Sequence, residues 1–212
     1  MNLIKSIQTS LLAGQHGHPR GIVGHMLGER MVRQHVPETT WTISLLDIKP
    51  TDRVLEPGFG AGRAIELVAA KAASGHVSGI DHSQAMVRAA SHRNARAIKA
   101  GQVTLYHGDV TTLPFADNQF DKIFSIQTLY FWSDPPRILA EIFRVLKPGA
   151  KLVVTLSTGT IGTTETTGLE SYQLLLEEQI IPCMKQLGFT LTSIQQGPAS
   201  RQFKTTAVIG IK

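Results

Sequence analysis

An acid followed by three spaced glycines is the stretch with the clearest chemical potential. Glu56 ends an apolar segment, and Gly58, Gly60 and Gly62 follow at alternate positions before a helical pattern begins. Glycine lacks the Cβ atom that would keep a ligand away from the backbone. The N–H groups at the start of the next helix favour a carboxylate or a phosphate. The stretch therefore predicts a place where the backbone contacts a ligand.

Two further acids follow the next strand-like segments of the chain. Asp81 comes after the second segment, and Asp109 comes after the third, preceded by Gly108. In a parallel sheet the carboxyl ends of the strands meet at one edge, where ligands collect. Asp81 could accept both hydroxyls of a ribose there, and Asp109 could accept from the exocyclic amine of a purine. We expect Asp81 to lie at its strand end, outside the core.

Each of these features also has a simpler interpretation. The glycines could form a tight turn without a ligand, Asp81 could serve the helix that begins beside Ser83, and Asp109 could form an Asx turn. An acid after the second strand also occurs in dinucleotide enzymes. However, the glycines are spaced by two, without the G-x-G-x-x-G spacing of the dinucleotide fingerprint.

The elements that must position these residues alternate along the chain. Apolar segments predict five strands, at 53–56, 76–81, 103–106, 120–127 and 151–156. Helical patterns separate them, and two further strands at 189–196 and 203–211 predict a closing hairpin. The alternation predicts an α/β fold: a doubly wound, mainly parallel, seven-stranded sheet with an antiparallel C-terminal hairpin and N-terminal helices.

We expect a single domain of 212 residues in three parts. Residues 1–50 would form a helical lid, residues 51–157 the cofactor-binding core, and residues 158–212 a C-terminal helix and strand hairpin. The lid includes a helix at 38–46 that is predicted to bury Trp41, Ile43, Leu45 and Leu46.

Composition excludes several classes of protein. Cys183 is the only cysteine, so neither a disulfide framework nor a cysteine-rich metal site is expected, and no metal is predicted. No apolar run is long enough to span a membrane, and the predicted location is the cytoplasm. The net charge is +5, and the charged residues are scattered along the chain, so nucleic acid is not favoured as a partner. The chain could be a monomer or a homodimer.

The order and spacing of several segments over 52–156 resemble the class I S-adenosylmethionine-dependent methyltransferases. The segments are VLEPGFGAG at 54–62, GIDHS at 79–83, GDV at 108–110, LPF at 113–115, FDKI at 120–123 and LKPGAKL at 146–152. Within that family, these segments are most similar to the small-molecule branch that includes ubiquinone and menaquinone biosynthesis enzymes. The resemblance implies a Rossmann-like fold and S-adenosyl-L-methionine as the cofactor.

The resemblance also implies that ten residues hold this cofactor. Glu56, Gly58, Gly60, Ser125 and Gln127 would lie on the methionine side, Asp81 at the ribose, and His82, Met86, Asp109 and Val110 at the adenine. One departure from the family pattern is Pro57, which removes a backbone N–H directly after the acid.

The implied reaction moves a methyl group to a small-molecule acceptor by in-line displacement. A general base is needed only if the acceptor must lose a proton. The candidates for that role are Tyr130, Trp132, His18 and His25. Two alternatives remain open: a module of the same fold that binds the cofactor without catalysis, and an NAD(P)-dependent oxidoreductase.

Overall fold

A computed structural model describes residues 36–160, 170–199 and 203–212. Its strands are β1 Arg53–Pro57, β2 His76–Asp81, β3 Val103–His107, β4 Phe120–Ile126, β5 Leu146–Thr160, β6 Leu191–Gln196 and β7 Phe203–Ile211. Its helices are α1 Val36–Leu46, α2 Arg63–Lys71, α3 Gln84–Arg93, α4 Ala95–Lys99, α5 Pro135–Val145, α6 Glu170–Leu175 and α7 Ile181–Leu187. A 3₁₀ turn spans Leu129–Phe131, and a π-helical turn, Leu176–Ile180, joins α6 to α7.

The strands form one seven-stranded sheet in the order β3-β2-β1-β4-β5-β7-β6. The first five strands are parallel, and β7 runs antiparallel to both β5 and β6. The strand order reverses between β1 and β4, which places the topological switch beside the glycine turn. This arrangement confirms the predicted mainly parallel sheet with its antiparallel C-terminal pair.

Helices cover both faces of the sheet because the central strands are apolar on both sides. One face packs Val54, Phe124 and Val153 against α1 and α2. The opposite face packs Leu55 and Ile123 against α5 and the segment that includes α7. A rigid core on both sides therefore supports the carboxyl ends of the strands.

Several helix boundaries follow local signals that the sequence carries. The side chain of Ser83 caps α3 by accepting the N–H of Met86 at 3.5 Å. Asp134 caps α5 by accepting the N–H of Arg137 at 3.2 Å, and Pro135 stands in the first turn of that helix. These are the residue types preferred at helix starts.

The observed β5 is longer than the predicted strand at 151–156. It begins at Leu146, directly after α5, although Pro148 and Gly149 indicate a turn. Gly149 has φ +75° and donates its N–H to the carbonyl of Lys212 at 2.7 Å, so the irregular start of β5 is tied to the C-terminal end of the chain.

The helix α1 buries a different set of residues from the predicted one. Ile43 and Leu46 are buried as expected, whereas Trp41 and Leu45 are only partly buried. The buried face also contains Glu38, Thr39 and Thr42, which apolar periodicity alone would assign to solvent.

Candidate active site

The glycine turn after β1 is held in backbone conformations that favour glycine. Gly58, Gly60 and Gly62 have φ values of +74°, +51° and +75°. A Cβ atom on Gly58 would lie 2.6 Å from Thr128 Cγ2, and one on Gly62 would lie 2.6 Å from the Cβ of Ala90. A Cβ atom on Gly60 would meet nothing within 4 Å. Two glycines therefore allow close packing within the protein, and Gly60 borders open space.

Asp81, at the end of β2, braces this turn. Its Oδ2 accepts the N–H of Gly60 at 2.9 Å, and its Oδ1 accepts the N–H of Ser83 at 2.8 Å. The residue is only 5% exposed, so the expectation that it lies outside the core was wrong. Burial raises the pKa of Asp81, while the two backbone N–H groups and nearby His82 oppose that rise.

Glu56, near the end of β1, is the most deeply buried acid of the predicted set. It is 3% exposed, and its Oε2 has no hydrogen-bond partner within the described ranges. Burial raises the pKa of Glu56 well above its ordinary value, and the charge of Asp81 raises it further. Two acidic side chains thus meet at neighbouring strand ends, where a positively charged group would stabilise both.

The residues predicted at the adenine end lie around the ends of β2 and β3. His82 is exposed, and its Nδ1 lies 3.8 Å from Asp81 Oδ1. Met86 is buried against small side chains of α3 and the glycine turn. Asp109 is exposed and Val110 is partly buried, two and three residues beyond β3.

Asp109 forms the Asx turn that was one of its two interpretations. Its Oδ1 accepts the N–H of Thr111 at 2.8 Å. Hydrogen bonds from Thr111 lower the pKa of Asp109, and the positive charges of Arg137 and His82 lower it further. The carboxylate is therefore ionised at neutral pH.

Ser125 joins the end of β4 to the glycine turn. Its hydroxyl donates to the carbonyl of Pro57 at 2.9 Å, and it also forms a hydrogen bond with the hydroxyl of Thr128. Thr128 is the residue that a Cβ on Gly58 would strike. The two hydroxyls thus hold the methionine side of the predicted cofactor site in place.

A hydrogen-bonded group of Gln127, Tyr130 and Ser157 closes the carboxyl end of β4 against β5. The hydroxyl of Tyr130 accepts the N–H of Ser157 at 2.6 Å and lies 2.8 Å from both the Ser157 carbonyl and Gln127 Oε1. Gln127 Nε2 donates to Ser157 Oγ at 2.9 Å. Gln127 has φ +57°, an unusual value for a residue with a side chain. Beyond the end of β4, the side chains of Gln127 and Tyr130 thus hydrogen-bond to the main chain of β5 at Ser157.

The sequence alone does not predict this group as a unit. It points to Gln127 and Tyr130 separately and places Ser157 at the end of the predicted core. The three residues come together only because β4 and β5 are neighbours. Burial raises the pKa of Tyr130 to about 12, so its phenol is a proton donor and not a base at neutral pH.

Comparison with known proteins identifies the family. The family described as "Methyltransferase domain" matches residues 55–154. An uncharacterized methyltransferase of Bacillus subtilis (strain 168) is 33% identical over 129 residues, which are 61% of this chain and 69% of that protein. The chain belongs to the class I S-adenosylmethionine-dependent methyltransferases. S-adenosylmethionine is the cofactor that membership of this family implies.

Two further similarities bear on this methyltransferase. A demethylmenaquinone methyltransferase of Symbiobacterium thermophilum is 36% identical over 106 residues, which are 50% of this chain and 42% of that protein. A crystal structure of a methyltransferase from Aquifex aeolicus has the same fold, with a TM-score of 0.70 at 18% identity, covering 88% of this chain and 97% of that one. The chain thus spans less than half of the demethylmenaquinone enzyme that it matches, and the second similarity concerns the fold alone.

The remaining predicted residues of the methyltransferase are placed as follows. Trp132 is buried in the apolar core on the α5 face. His18 and His25 lie outside the described residues. Within the described ranges, no three His, Cys, Asp or Glu side chains form a group that could hold a metal ion. No helix in the same ranges is long and apolar enough to cross a membrane.

Proposed function

We propose that this methyltransferase transfers a methyl group to a small-molecule acceptor by in-line displacement, in the cytoplasm, with the cofactor held at the carboxyl edge of β1, β2 and β3. The observation that carries the proposal is the buried Glu56 carboxyl, whose Oε2 has no partner in the described structure. A buried carboxyl of this kind is costly unless a ligand completes its hydrogen bonds.

The charge of the site fits the proposed ligand. S-adenosylmethionine has an ammonium and a sulfonium against one carboxylate, and it therefore brings net positive charge to the acids Glu56 and Asp81. A pyrophosphate would instead bring negative charge toward the same two acids, which disfavours a dinucleotide in this turn. The open space over Gly60 leaves room for the ligand to approach the backbone.

The roles of the individual residues follow from their positions. We propose that Glu56 faces the ammonium group, Asp81 the ribose hydroxyls, and Asp109 with the N–H of Val110 the adenine edge. Gly58 already donates its N–H to Ile80 at 2.7 Å, so its contribution to binding would come from its carbonyl or its lack of a side chain. His82 and Met86 would flank the adenine, and Ser125 and Gln127 would shape the methionine side.

The cofactor, when bound, supplies a methyl group that is already activated on a sulfonium. The protein then has chiefly to orient the acceptor, and orientation can contribute about 7–11 kcal/mol to lowering the barrier. We propose that Tyr130 acts as a positioning residue at this edge of the sheet, because its hydroxyl bonds both the carbonyl and the N–H of Ser157. We also propose that the chain divides into a lid at 1–50, a core at 51–157 and a C-terminal part at 158–212. Residues 1–35 of that lid lie outside the described residues.

The test measures binding and turnover together. Isothermal titration calorimetry with S-adenosylmethionine should show binding, and NADH titrated in the same way should show none. Formation of S-adenosylhomocysteine with a panel of small phenols and amines would then establish transfer. Binding of NADH without binding of S-adenosylmethionine would contradict the proposal. Cofactor binding without product from any acceptor would favour a non-catalytic module.

A further inference from the structure

The C-terminal end of α3 lies against the second half of the glycine turn. A Cβ atom on Gly62 would lie 2.6 Å from the Cβ and 3.0 Å from the Cα of Ala90, so only a glycine lets the helix approach this closely. Arg93 ends α3, and Asn94 is its C-cap. The side chain of Asn94 is buried, and that of Arg93 is partly buried. The end of α3 thus brings two polar side chains to the turn.

These two side chains bond successive carbonyls of the turn. Arg93 Nε donates to the carbonyl of Ala61 at 2.9 Å, and Asn94 Nδ2 donates to the carbonyl of Gly62 at 3.0 Å. In a trans peptide the carbonyl and the following N–H point in opposite directions, so a bond to the carbonyl also fixes that N–H. The second of the two N–H groups is that of Arg63, the first residue of α2. The two bonds therefore fix how the turn presents its backbone at the start of α2.

Both carbonyls that the Asn94 amide binds already have a main-chain partner. The carbonyl of Gly62 also accepts the N–H of Glu66 at 3.2 Å. Nδ2 donates a second time, to the carbonyl of Ala90 at 2.9 Å, and this carbonyl also accepts the main-chain N–H of Asn94 at 2.9 Å. Removal of the amide would therefore leave neither carbonyl without a partner.

The amide of Asn94 has a cost and no simple structural use. Its Oδ1 is buried and has no hydrogen-bond partner within the described ranges, which is unfavourable. Asn94 also precedes α4, but its side chain makes no capping bond to that helix. An apolar side chain of similar shape should therefore give a fold at least as stable. The fold alone does not explain an asparagine at this position.

The glycine turn is a segment whose function would benefit from such bonds. Glycine loses more conformational freedom on ordering than any other residue, so a turn with three glycines is costly to fix. Asp81 supports the middle of the turn by accepting the N–H of Gly60 at 2.9 Å. Bonds that hold a segment in its binding conformation beforehand reduce the entropic cost of binding. Arg93 and Asn94 supply such bonds to the second half of the turn.

We propose that Arg93 and Asn94 are positioning residues for the cofactor, which hold the carbonyls of Ala61 and Gly62 so that the turn has its binding conformation before the ligand arrives. The inference rests on the proposed function, because it assigns these two residues to the same cofactor site. Both act through the turn and not by contact with the ligand. They raise the affinity for the cofactor, and Asn94 does so without stabilising the fold.

The main test separates cofactor affinity from stability. Asn94→Leu replaces the amide by an apolar side chain of similar shape. We expect a Tm at or above that of wild type, together with an affinity for S-adenosylhomocysteine that is about tenfold lower. Thermal unfolding and isothermal titration calorimetry of the same preparations measure the two effects. Hydrogen exchange of the backbone at 58–63 should also be faster in ligand-free Asn94→Leu than in ligand-free wild type.

Gln102 provides a matched control at the other end of α2. Its Nε2 also donates to two carbonyls, those of Ala69 at 2.7 Å and Ala72 at 3.0 Å. Carbonyls at the end of a helix lack partners within it, so these bonds serve the fold. Gln102→Met should therefore lower the Tm and keep the affinity of wild type, the opposite of the result expected for Asn94→Leu.

Arg93 gives a second, independent measurement. Arg93→Met removes the donor to the carbonyl of Ala61, and it should lower the affinity for S-adenosylhomocysteine several-fold. Arg93→Lys keeps a donor on a long side chain and should restore most of that affinity. The rescue distinguishes a bond to the turn from a packing effect, because methionine and lysine have side chains of similar length.

The outcomes that overturn the inference are specific. Wild-type affinity in Asn94→Leu, or failure of this variant to fold, would overturn the role of Asn94. Wild-type affinity in Arg93→Met, or equal losses in Arg93→Met and Arg93→Lys, would overturn the role of Arg93. Failure of the wild-type protein to bind S-adenosylhomocysteine would instead contradict the proposed function.

Discussion

Replacement of Gly60 by alanine separates a ligand-contacting glycine from a glycine required by the fold. The residue has φ +51°, and a Cβ atom there would meet no protein atom within 4 Å. A side chain in this backbone region costs about 1–2 kcal/mol of the free energy of unfolding. For a chain of this size that corresponds to a decrease of about 2–4 °C in Tm per kcal/mol. We therefore expect Gly60→Ala to fold with a modestly lower Tm.

Its effect on cofactor binding should be much larger. The added methyl group points into the space that we assign to the cofactor, and we expect the affinity for S-adenosylhomocysteine to fall at least about tenfold, equivalent to about 1.4 kcal/mol. Calorimetry and thermal unfolding of the same preparations measure the two effects separately. The larger Gly60→Val substitution should abolish binding.

Gly101 provides a matched control for this experiment. It has φ +72°, and a Cβ atom there would also meet nothing within 4 Å, but it precedes β3 at the opposite edge of the sheet. Gly101→Ala should therefore lose similar stability and keep the affinity of wild type. Wild-type affinity in Gly60→Ala would refute the assignment of this space to the cofactor. An equal loss of affinity in Gly101→Ala would show that the effect is global.

Three further substitutions test the electrostatics and the supporting contacts. The pKa of Glu56 is raised in the fold, so ionisation of this group destabilises the wild-type protein as the pH rises above about 4.5. The free energy of unfolding of Glu56→Gln should therefore increase relative to that of wild type as the pH rises, and the variant should bind S-adenosylmethionine more weakly. A stability difference that shrinks with rising pH would contradict the raised pKa. Tyr130→Phe loses the hydroxyl bonded to Ser157 and should lower the free energy of unfolding by about 1–3 kcal/mol. The pH–rate profile near neutral pH should keep both of its limbs, because the raised pKa keeps the Tyr130 phenol protonated there. Loss of one limb would instead indicate that Tyr130 acts as a general base. Lys212 Nζ donates to the carbonyl of Leu146 at 2.8 Å. Lys212→Met should lower the free energy of unfolding, measured by chemical denaturation, by about 1–2 kcal/mol and leave the cofactor affinity unchanged. An unchanged denaturation midpoint would show that this contact does not stabilise the fold.

Local signals were sufficient to predict the parallel part of the fold. Periodicity placed β2 at the observed residues, and Ser83 and Asp134 marked the starts of α3 and α5. The glycine spacing after Glu56 indicated a turn that needs unusual backbone conformations, as observed at Gly60. These features depend on residues that are close in the sequence.

The features that were missed depend on contacts between distant segments. Gly149 indicates a turn by its residue type, but its bond to Lys212 makes it part of the start of β5. The buried carboxylate of Asp81 is compensated by two backbone N–H groups, and one of them comes from Gly60, 21 residues earlier in the chain. The burial of Glu38 depends on α1 lying across β5, and apolar periodicity carries no signal for a polar face turned inward.

The most direct test of the central claim is a crystal structure of the protein with S-adenosylhomocysteine bound. We expect the ribose hydroxyls within hydrogen-bond distance of the Asp81 carboxylate, the ammonium group beside Glu56, and the ligand in contact with the backbone of Gly60. A ligand bound away from the carboxyl edge of β1 and β2, or bound there with Asp81 and Glu56 facing no ligand atom, would contradict it.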